Sequence, residues 1–136
     1  MQGCDVFMRK IRVAEPANSG DTSGFKSLLK RAITEMLVLL TLQHKPMYAY
    51  EIMSELEEMS DGYLSYNTLY ISIYRLEELK FIVESAKTVS ESNRTRVYYS
   101  ITDAGKEYLD NLINEYRQFS GIVDGIIDYW KNWKVS

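Results

Sequence analysis

The chain has 136 residues, enough for one domain or for a small domain with an extension. Charged residues make up 26% of the sequence, the net charge is −3, and no apolar run is long enough to cross a bilayer, so we expect a globular protein without membrane contact. A single cysteine and a single histidine exclude a disulfide framework and a cysteine-based zinc site, and we expect no enzyme activity, metal or cofactor.

The N-terminal segment, residues 1–24, has no sustained hydrophobic period and contains the loop-forming stretch EPANSGDTSG. We expect an irregular extension here, in which Cys4 is an inert thiol. The first residues, MQGCDVFMRKIRV, hold no apolar stretch of signal-peptide length, which predicts a cytoplasmic protein.

Two helices are predicted next. Residues 25–43 carry apolar side chains at helical spacing, and the second half is apolar nearly all round, so that half should lie in the core. We expect this first helix to end before Pro46, because proline cannot continue a helix and biases the preceding residue, Lys45, away from helical angles. The second helix is predicted over residues 48–59, and Gly62 permits the left-handed turn that ends it. Its inward residues are predicted to be Ile52, Leu56 and Met59.

The third helix is predicted within residues 66–79, YNTLYISIYRLEEL, capped by Ser65 or Asn67. Its apolar residues recur at spacings of four and three and form one side. The other side holds groups that can stack, hydrogen-bond or contact a phosphate, in place of the glutamates and lysines of an ordinary solvated face. The apolar side consists of Leu69, Ile73 and Leu76, and the other side of Asn67, Thr68, Tyr70, Ile71, Tyr74 and Arg75.

After Lys80 the pattern alternates, and residues 81–89 and 95–101 are predicted to form a β-hairpin around the polar turn SESNR. Thr102 then caps a long final helix with acidic residues in its first turn. This order of elements predicts a mainly α protein with a small β-hairpin (α+β), a winged helix-turn-helix with a long C-terminal dimerisation helix. We divide the chain into an irregular extension (1–24), a DNA-binding domain (25–102) and a dimerisation helix (103–136).

In such folds the third helix enters the major groove of double-stranded DNA. Asn67 and Thr68 can hydrogen-bond to base edges, and Ile71 can contact a thymine methyl group. The tyrosines and arginine of this helix suit the DNA backbone, where contacts position the protein without reading sequence. The predicted DNA-binding residues are Lys26, Lys30, Asn67, Thr68, Tyr70, Ile71, Tyr74, Arg75, Arg94 and Arg96, of which the last two flank the hairpin tip.

The same residues also admit a purely structural interpretation. Tyr70 and Tyr74 could cover the base of the hairpin, and Arg75 could pair with Glu78 or another acidic neighbour. The net charge of −3 argues mildly against nucleic-acid binding, where a basic domain is expected. The local field matters more than the net charge, however, so DNA binding stays the leading hypothesis.

The last helix repeats apolar residues at alternating spacings of three and four, which is the heptad seam of a coiled-coil-like helix pair. A helix of this length is longer than a small core can cover, and a second copy of the chain is the expected partner. Folding back onto its own domain is the alternative. The predicted interface residues are Leu109, Leu112, Tyr116, Phe119, Val123, Ile126, Trp130 and Trp133. Tyr116 and Phe119 are candidate ligand residues, because a flat aromatic molecule could stack between such rings.

Three motifs carry a resemblance to a known family. KPMYAYEI, residues 45–52, is similar to a glycine-proline-x-x-glycine-tyrosine-glutamate pattern, with Lys45 and Ala49 where glycines are usual. Residues 68–77 match a threonine-leucine-tyrosine…arginine-leucine-glutamate stretch, and RVYYSITDAGKEYL, residues 96–109, completes the set. Together they resemble the PadR family of transcriptional regulators over about residues 26–110. Asn67 and Lys80 stand where that family often has glycine.

The single last helix resembles the short subgroup of this family, in which two protomers exchange their C-terminal helices. The resemblance implies a homodimeric DNA-binding repressor, often of transport or stress genes and sometimes relieved by a small molecule. The alternative is a protein-interaction module that keeps the winged-helix fold and pairs with another regulator without binding DNA itself. The acidic balance of the chain favours that alternative.

Overall fold

The structure is a computed structural model that describes residues 20–133. Residues 1–19, which include Cys4 and most of the predicted extension, lie outside the described residues. The described elements are α1 (Ser23–His44), β1 (Met47–Tyr48), α2 (Ala49–Met59), α3 (Tyr70–Glu78), β2 (Ile82–Val89), β3 (Thr95–Ile101) and α4 (Asp103–Lys131). The chain divides into two units, Met1–Ala32 and Ile33–Ser136, and α1 contributes residues to both.

The prediction for the first helix is confirmed to within two residues at each end. In the second unit its side chains enter the core, as the all-round apolar pattern predicted, and Thr41 satisfies its buried hydroxyl by donating to the carbonyl of Val38 at 2.7 Å. In the first unit, the apolar side chains of this helix are exposed: Phe25, Leu28 and Leu29.

The second helix begins one residue later than predicted, at Ala49, because Tyr48 has extended backbone angles and belongs to a strand. The helix ends through Asp61 and Gly62, both with positive φ, so the predicted left-handed turn is present. Met59, which we predicted to face inward, is instead exposed, because the helix ends at this residue.

The sheet has three strands in the order β1-β3-β2, all antiparallel, so the predicted hairpin is confirmed and extended by one strand. Strand β1 adds only two residues, which pair Met47 with Tyr99 and Tyr48 with Tyr98. The β2–β3 register shifts between Glu84 and Ala86. This third strand ties the wing directly to the beginning of α2.

One hydrophobic core in the second unit holds α1, α2, α3, the first residue of β2 and the beginning of α4 together. Leu109 is fully buried in this core and Leu112 packs against it. The sequence placed both residues in the dimer interface, and Leu109 has no exposed surface left for a partner. The first residues of the heptad seam pack into the domain's own core because they lie near the beginning of α4, which directly follows strand β3.

The beginning of α4 is joined to the end of α3 by a tight junction. Thr102 caps the helix as predicted: its hydroxyl accepts from the Gly105 amide at 3.0 Å and donates to the Lys80 carbonyl at 2.8 Å. The Thr102 amide donates to the carbonyl of Phe81, whose ring stacks on Tyr108 at 4.3 Å between centroids. Lys80 has a φ of +64°, which explains why glycine would also suit this position.

No helix within residues 20–133 combines the length and the apolar character that crossing a membrane requires. The architecture is that of an α+β winged helix fold in which α3 stands beside the β2–β3 wing and α4 extends beyond the core.

Candidate nucleic-acid interface

Helix α3 is anchored by one side and open on the other. Ile73 and Leu76 are buried, as is Leu69 immediately before the helix, which confirms the predicted apolar side. On the opposite side Tyr70, Ile71 and Tyr74 are among the most exposed large apolar residues of the described chain, at 77%, 83% and 64%. The core therefore fixes the helix without covering the side that the sequence proposed as the DNA-reading surface.

The helix begins later than predicted, at Tyr70, and neither Ser65 nor Asn67 caps it. Leu69 occupies the N-cap position and has no side-chain cap. Thr68 instead supplies its hydroxyl to the Tyr70 amide at 3.2 Å. Asn67 and Thr68 thus lie in the exposed segment that leads into the helix, next to its first turn.

Arg75 has an acidic neighbour, as the structural interpretation anticipated, but the partner is Glu35 of α1 and not Glu78. The Nε atom of Arg75 lies 2.8 Å from the Glu35 carboxylate, and 61% of the arginine side chain is exposed. The pair is a partly exposed surface ion pair, which adds little to stability by itself.

The wing carries two arginines near its tip. The turn is closed by the Ser90 amide, which donates to the Arg94 carbonyl at 2.8 Å, and Asn93 supplies the left-handed residue with a φ of +64°. Arg94 follows the turn, and Arg96 pairs with Thr88 inside the β2–β3 ladder. Both arginines are exposed.

Arg96 also contacts a residue that the sequence analysis did not place in the site. Its guanidinium carbon lies 4.8 Å from the centroid of the Tyr48 ring, which is a cation–π distance. Tyr48 in turn meets Tyr98 edge to face at 5.3 Å. Hydrophobic periodicity could not reveal this contact, because it depends on the two-residue strand β1.

A groove of about 680 Å³ runs between the start of α2, the start of α3 and the wing. Three of the predicted DNA-binding residues line this groove: Tyr70 of α3 and the wing residues Arg94 and Arg96. Most of the other lining residues are tyrosines, serines and a threonine, and no carboxylate is among the described residues that line the groove. These lining residues are Tyr48, Ala49, Tyr50, Tyr70, Ile73, Ser90, Ser92, Arg94, Thr95, Arg96, Val97 and Tyr99.

One acidic residue of α3, Glu77, is half-buried and lies near Glu84 of β2. Burial, and then the nearby Glu84 carboxylate, raise the pKa of Glu77 above its usual 4.5. Burial also raises the pKa of Tyr99, with further contributions from Glu77 and Glu84. Glu77 therefore lies near the sheet residues Glu84 and Tyr99, and Glu78 is the exposed acidic residue of α3.

Beyond the core, α4 presents a long apolar surface, which we call the distal α4 face. It consists of Tyr116, Phe119, Ile122, Val123, Ile126 and Trp130, all exposed. Ile122 was not part of the predicted seam, and it widens this surface. Near the C-terminal end, Tyr129, Trp130 and Trp133 contact one another with ring centroids 5.0 to 5.7 Å apart.

Lys26 and Lys30, the remaining predicted DNA-binding residues, lie on α1 in the unit that ends at Ala32. Their place in a DNA interface stays a prediction.

The amino-acid sequence of this chain is similar to a known protein family and to a related protein. Residues 38–111 match the model of the transcriptional regulator PadR-like family. A protein from Lysinibacillus sphaericus, described as an uncharacterized protein, is 31% identical over 101 residues, which cover 73% of this chain and 92% of the relative.

Solved structures share the fold. A PadR family transcriptional regulator from Eggerthella lenta superposes with a TM-score of 0.66 at 24% identity, covering 82% of this chain and 93% of that one. A transcriptional regulator from Streptococcus has a TM-score of 0.60 at 26% identity, covering 72% of this chain and 95% of the other. The fold of this chain is thus shared with solved structures of transcriptional regulators.

Proposed function

The chain belongs to the PadR-like family of transcriptional regulators, and on that premise we propose that it is a sequence-specific DNA-binding repressor that works as a cytoplasmic homodimer. The observation that carries the proposal is the two-sided character of α3. Its apolar side is buried, while Tyr70, Ile71 and Tyr74 are exposed next to a groove that contains Arg94 and Arg96. A helix of this kind docks into the major groove, with its first residues nearest the base edges.

The proposed DNA contacts are of two classes, those with base edges and those with the phosphate backbone. Asn67 and Thr68 lie in the segment that leads into α3, and Ile71 lies in its first turn, where side chains can reach base edges. Tyr70, Tyr74 and Arg75 suit the phosphate backbone, as do the wing arginines. The pairing of Arg75 with Glu35 is compatible with this role, because 61% of the arginine side chain stays exposed and can also meet a phosphate.

The homodimer is proposed from the distal α4 face. Large apolar surfaces that stay exposed on one chain mark sites of association, and the heptad spacing of this one suits another helix. Two copies of α3 held by such a dimer would read two half-sites about one helical turn apart.

The test is selection of duplexes from a random pool, together with a shift assay on the DNA around the chain's own gene. We expect selective binding at moderate salt to a sequence with two-fold symmetry. Replacing Asn67 or Thr68 with Ala should change the preferred sequence, whereas Arg75→Ala should weaken binding to all sequences alike. A folded dimer that binds no duplex selectively would refute the proposal.

A protein-interaction module without DNA binding is the second candidate, favoured by the net charge of −3 and by the Glu35 carboxylate beside Arg75. The salt dependence of binding separates the two functions. Phosphate contacts release counterions, so affinity for DNA falls steeply with rising salt, while a largely apolar protein contact does not follow that slope.

Relief by a ligand is proposed at Tyr116 and Phe119, which lie on the distal α4 face. A flat aromatic molecule could stack on these rings between two protomers. Titrating tryptophan fluorescence with planar aromatic compounds, with and without bound DNA, measures the coupling. Reciprocal linkage predicts that a ligand which weakens DNA binding is itself bound more weakly by the DNA complex.

A further inference from the structure

The two wing arginines differ in how they are held. Arg94 follows the turn, and its contact to the turn is made by its backbone amide, which donates to the Ser90 hydroxyl at 3.2 Å. Arg96 lies in the strand and has its guanidinium over the Tyr48 ring at 4.8 Å. Of the two wing arginines, Arg96 is thus the one whose side chain has a defined contact among the described residues.

The partner itself is fixed. Tyr48 pairs with Tyr98 through the backbone of β1, and the two rings meet edge to face at 5.3 Å. Tyr48 also directly precedes α2, whose Ile52 is fully buried in the core. The ring under Arg96 thus belongs to the body of the domain, and it ties a cation of the wing to α2, which is anchored in the same core as α3.

The groove in front of Arg96 has the chemistry of a phosphodiester site. Its two charged lining residues are both arginines, although the chain as a whole is acidic. Serine and threonine hydroxyls supply further donors, and the tyrosine ring faces offer apolar surface to a sugar. A volume of about 680 Å³ is enough to admit a short stretch of sugar-phosphate backbone.

We propose that this groove holds one strand of the DNA backbone and that Tyr48 is a positioning residue, which holds Arg96 ready to bind a phosphate. The inference rests on the proposed DNA-binding function and assigns Tyr48 a role within it. A free arginine loses rotamer freedom when it binds a phosphate, and an arginine already stacked on a ring loses less. Preorganisation of this kind raises affinity without adding a contact.

The experiment measures binding of the full-length protein to a duplex of mixed sequence about three helical turns long, across a range of salt concentrations. Arg96→Ala should weaken binding about tenfold and reduce the slope of log affinity against log salt by about one. Tyr48→Leu should weaken binding about two- to fivefold, the range expected for an exposed cation–π contact. Tyr48→Phe keeps the ring and should bind like the parent.

The double variant separates positioning from a general loss of structure. If Tyr48 acts through Arg96, Tyr48→Leu should add no further loss in the Arg96→Ala background. Additive losses, or an Arg96→Ala variant that binds as the parent does, would overturn the inference. A weakened Tyr48→Phe variant would also overturn it, because it would make the tyrosine hydroxyl a direct DNA contact.

Arg96→Lys tests the same idea if Tyr48→Leu does not fold. Lysine keeps the charge but lacks the flat guanidinium that stacks on a ring, so binding should weaken by about as much as in Tyr48→Leu. Parental binding by Arg96→Lys would contradict the positioning role. The proposed function is refuted by a different result, namely a parent protein that binds no duplex. The inference about Tyr48 is refuted when the parent binds DNA and these variants bind equally well.

Discussion

Two regions of this molecule expose large apolar side chains, and they differ in what surrounds those side chains. On α3, Tyr70, Ile71 and Tyr74 stand beside a groove that holds two arginines. Helix α4 carries six acidic and three basic residues around its apolar face. A phosphate backbone is attracted by the first setting and repelled by the second. Exposed apolar surface of this extent is typical of association sites, and the neighbouring charges indicate which class of partner suits each one.

The two regions also differ in how they are supported. The core of the second unit anchors α3 directly through Ile73 and Leu76. The distal α4 face has no such support within the described chain, because the buried residues of α4 are confined to Gly105 and Leu109 near its beginning. On the proposed function, the distal α4 face therefore depends on a partner helix for its stability, whereas α3 is already held by the core and only has to recognise DNA.

The largest effect is expected at the junction between the two regions, in the variant Gly105→Ala. A Cβ atom there would overlap the Phe81 carbonyl oxygen and lie 2.8 Å from Cγ1 of Ile101. Because a backbone oxygen cannot move aside easily, we expect the free energy of unfolding to fall by about 3 kcal/mol. Urea unfolding followed by circular dichroism, at one fixed protein concentration, measures the change.

Gly121→Ala is the matched control, since it lies on the same helix and a Cβ atom would meet nothing within 4 Å. The control should gain up to about 1 kcal/mol from helix propensity. Equal effects of the two substitutions would mean that α4 does not pack closely on Phe81, and the two regions would then be joined only loosely.

The comparison is tested next on the distal α4 face by Ile126→Asp. A carboxylate in the middle of an apolar interface should prevent association, so the variant should be a monomer where the parent is a dimer. Affinity for a two-half-site duplex should then fall by about 100-fold or more, because the second half-site is no longer bound by a linked copy. Analytical ultracentrifugation and a shift assay measure the two effects.

Gln118→Asp introduces the same charge on an exposed position outside the heptad seam, and it should leave the dimer intact. If Ile126→Asp remained a dimer with parental affinity, the apolar face of α4 would have some other partner. The inference from an exposed apolar surface to formation of a homodimer would then be wrong for this helix.

The sequence predicts the helices, the wing and the Thr102 cap because each depends on local periods or on a residue only three positions away. Strand β1 could not be predicted in this way, since two residues establish no period and Met47 and Tyr48 form a strand only by pairing with β3. The same limit applies to the contact between Tyr48 and Arg96, which joins residues far apart in sequence. Periodicity also could not tell that Leu109 belongs to the chain's own core, because core and interface positions share one spacing.

The candidate site follows the same division. That α3 would expose its tyrosines and Ile71 could be read from the spacing of Leu69, Ile73 and Leu76. The acidic partner of Arg75 was anticipated as a class, but its identity as Glu35 depends on how α1 and α3 cross. Side-chain pairs between elements require the fold, whereas the faces of single elements do not.

The smallest effect concerns the inner side of α3, where burial and Glu84 raise the pKa of Glu77 above 4.5. A carboxyl whose pKa is higher in the folded than in the unfolded protein binds its proton more tightly when folded. Its contribution to stability is therefore present at low pH and is lost as the pH rises through the folded pKa. Glu77→Gln should consequently be more stable than the parent at pH 7, by less than about 1 kcal/mol because solvent screens this group.

The advantage of Glu77→Gln should shrink towards pH 4, where the parent carboxyl becomes protonated, and thermal unfolding at both pH values measures it. Glu78→Gln, one residue along the same helix and exposed, is the control, with little change expected at either pH. A Glu77→Gln variant that is less stable at pH 7 would show that the carboxylate makes a favourable contact. The folded protein would then favour a charged Glu77 on α3. The electrostatic contrast between an acidic α4 and the proposed phosphate-binding surface of α3 would be smaller than we expect.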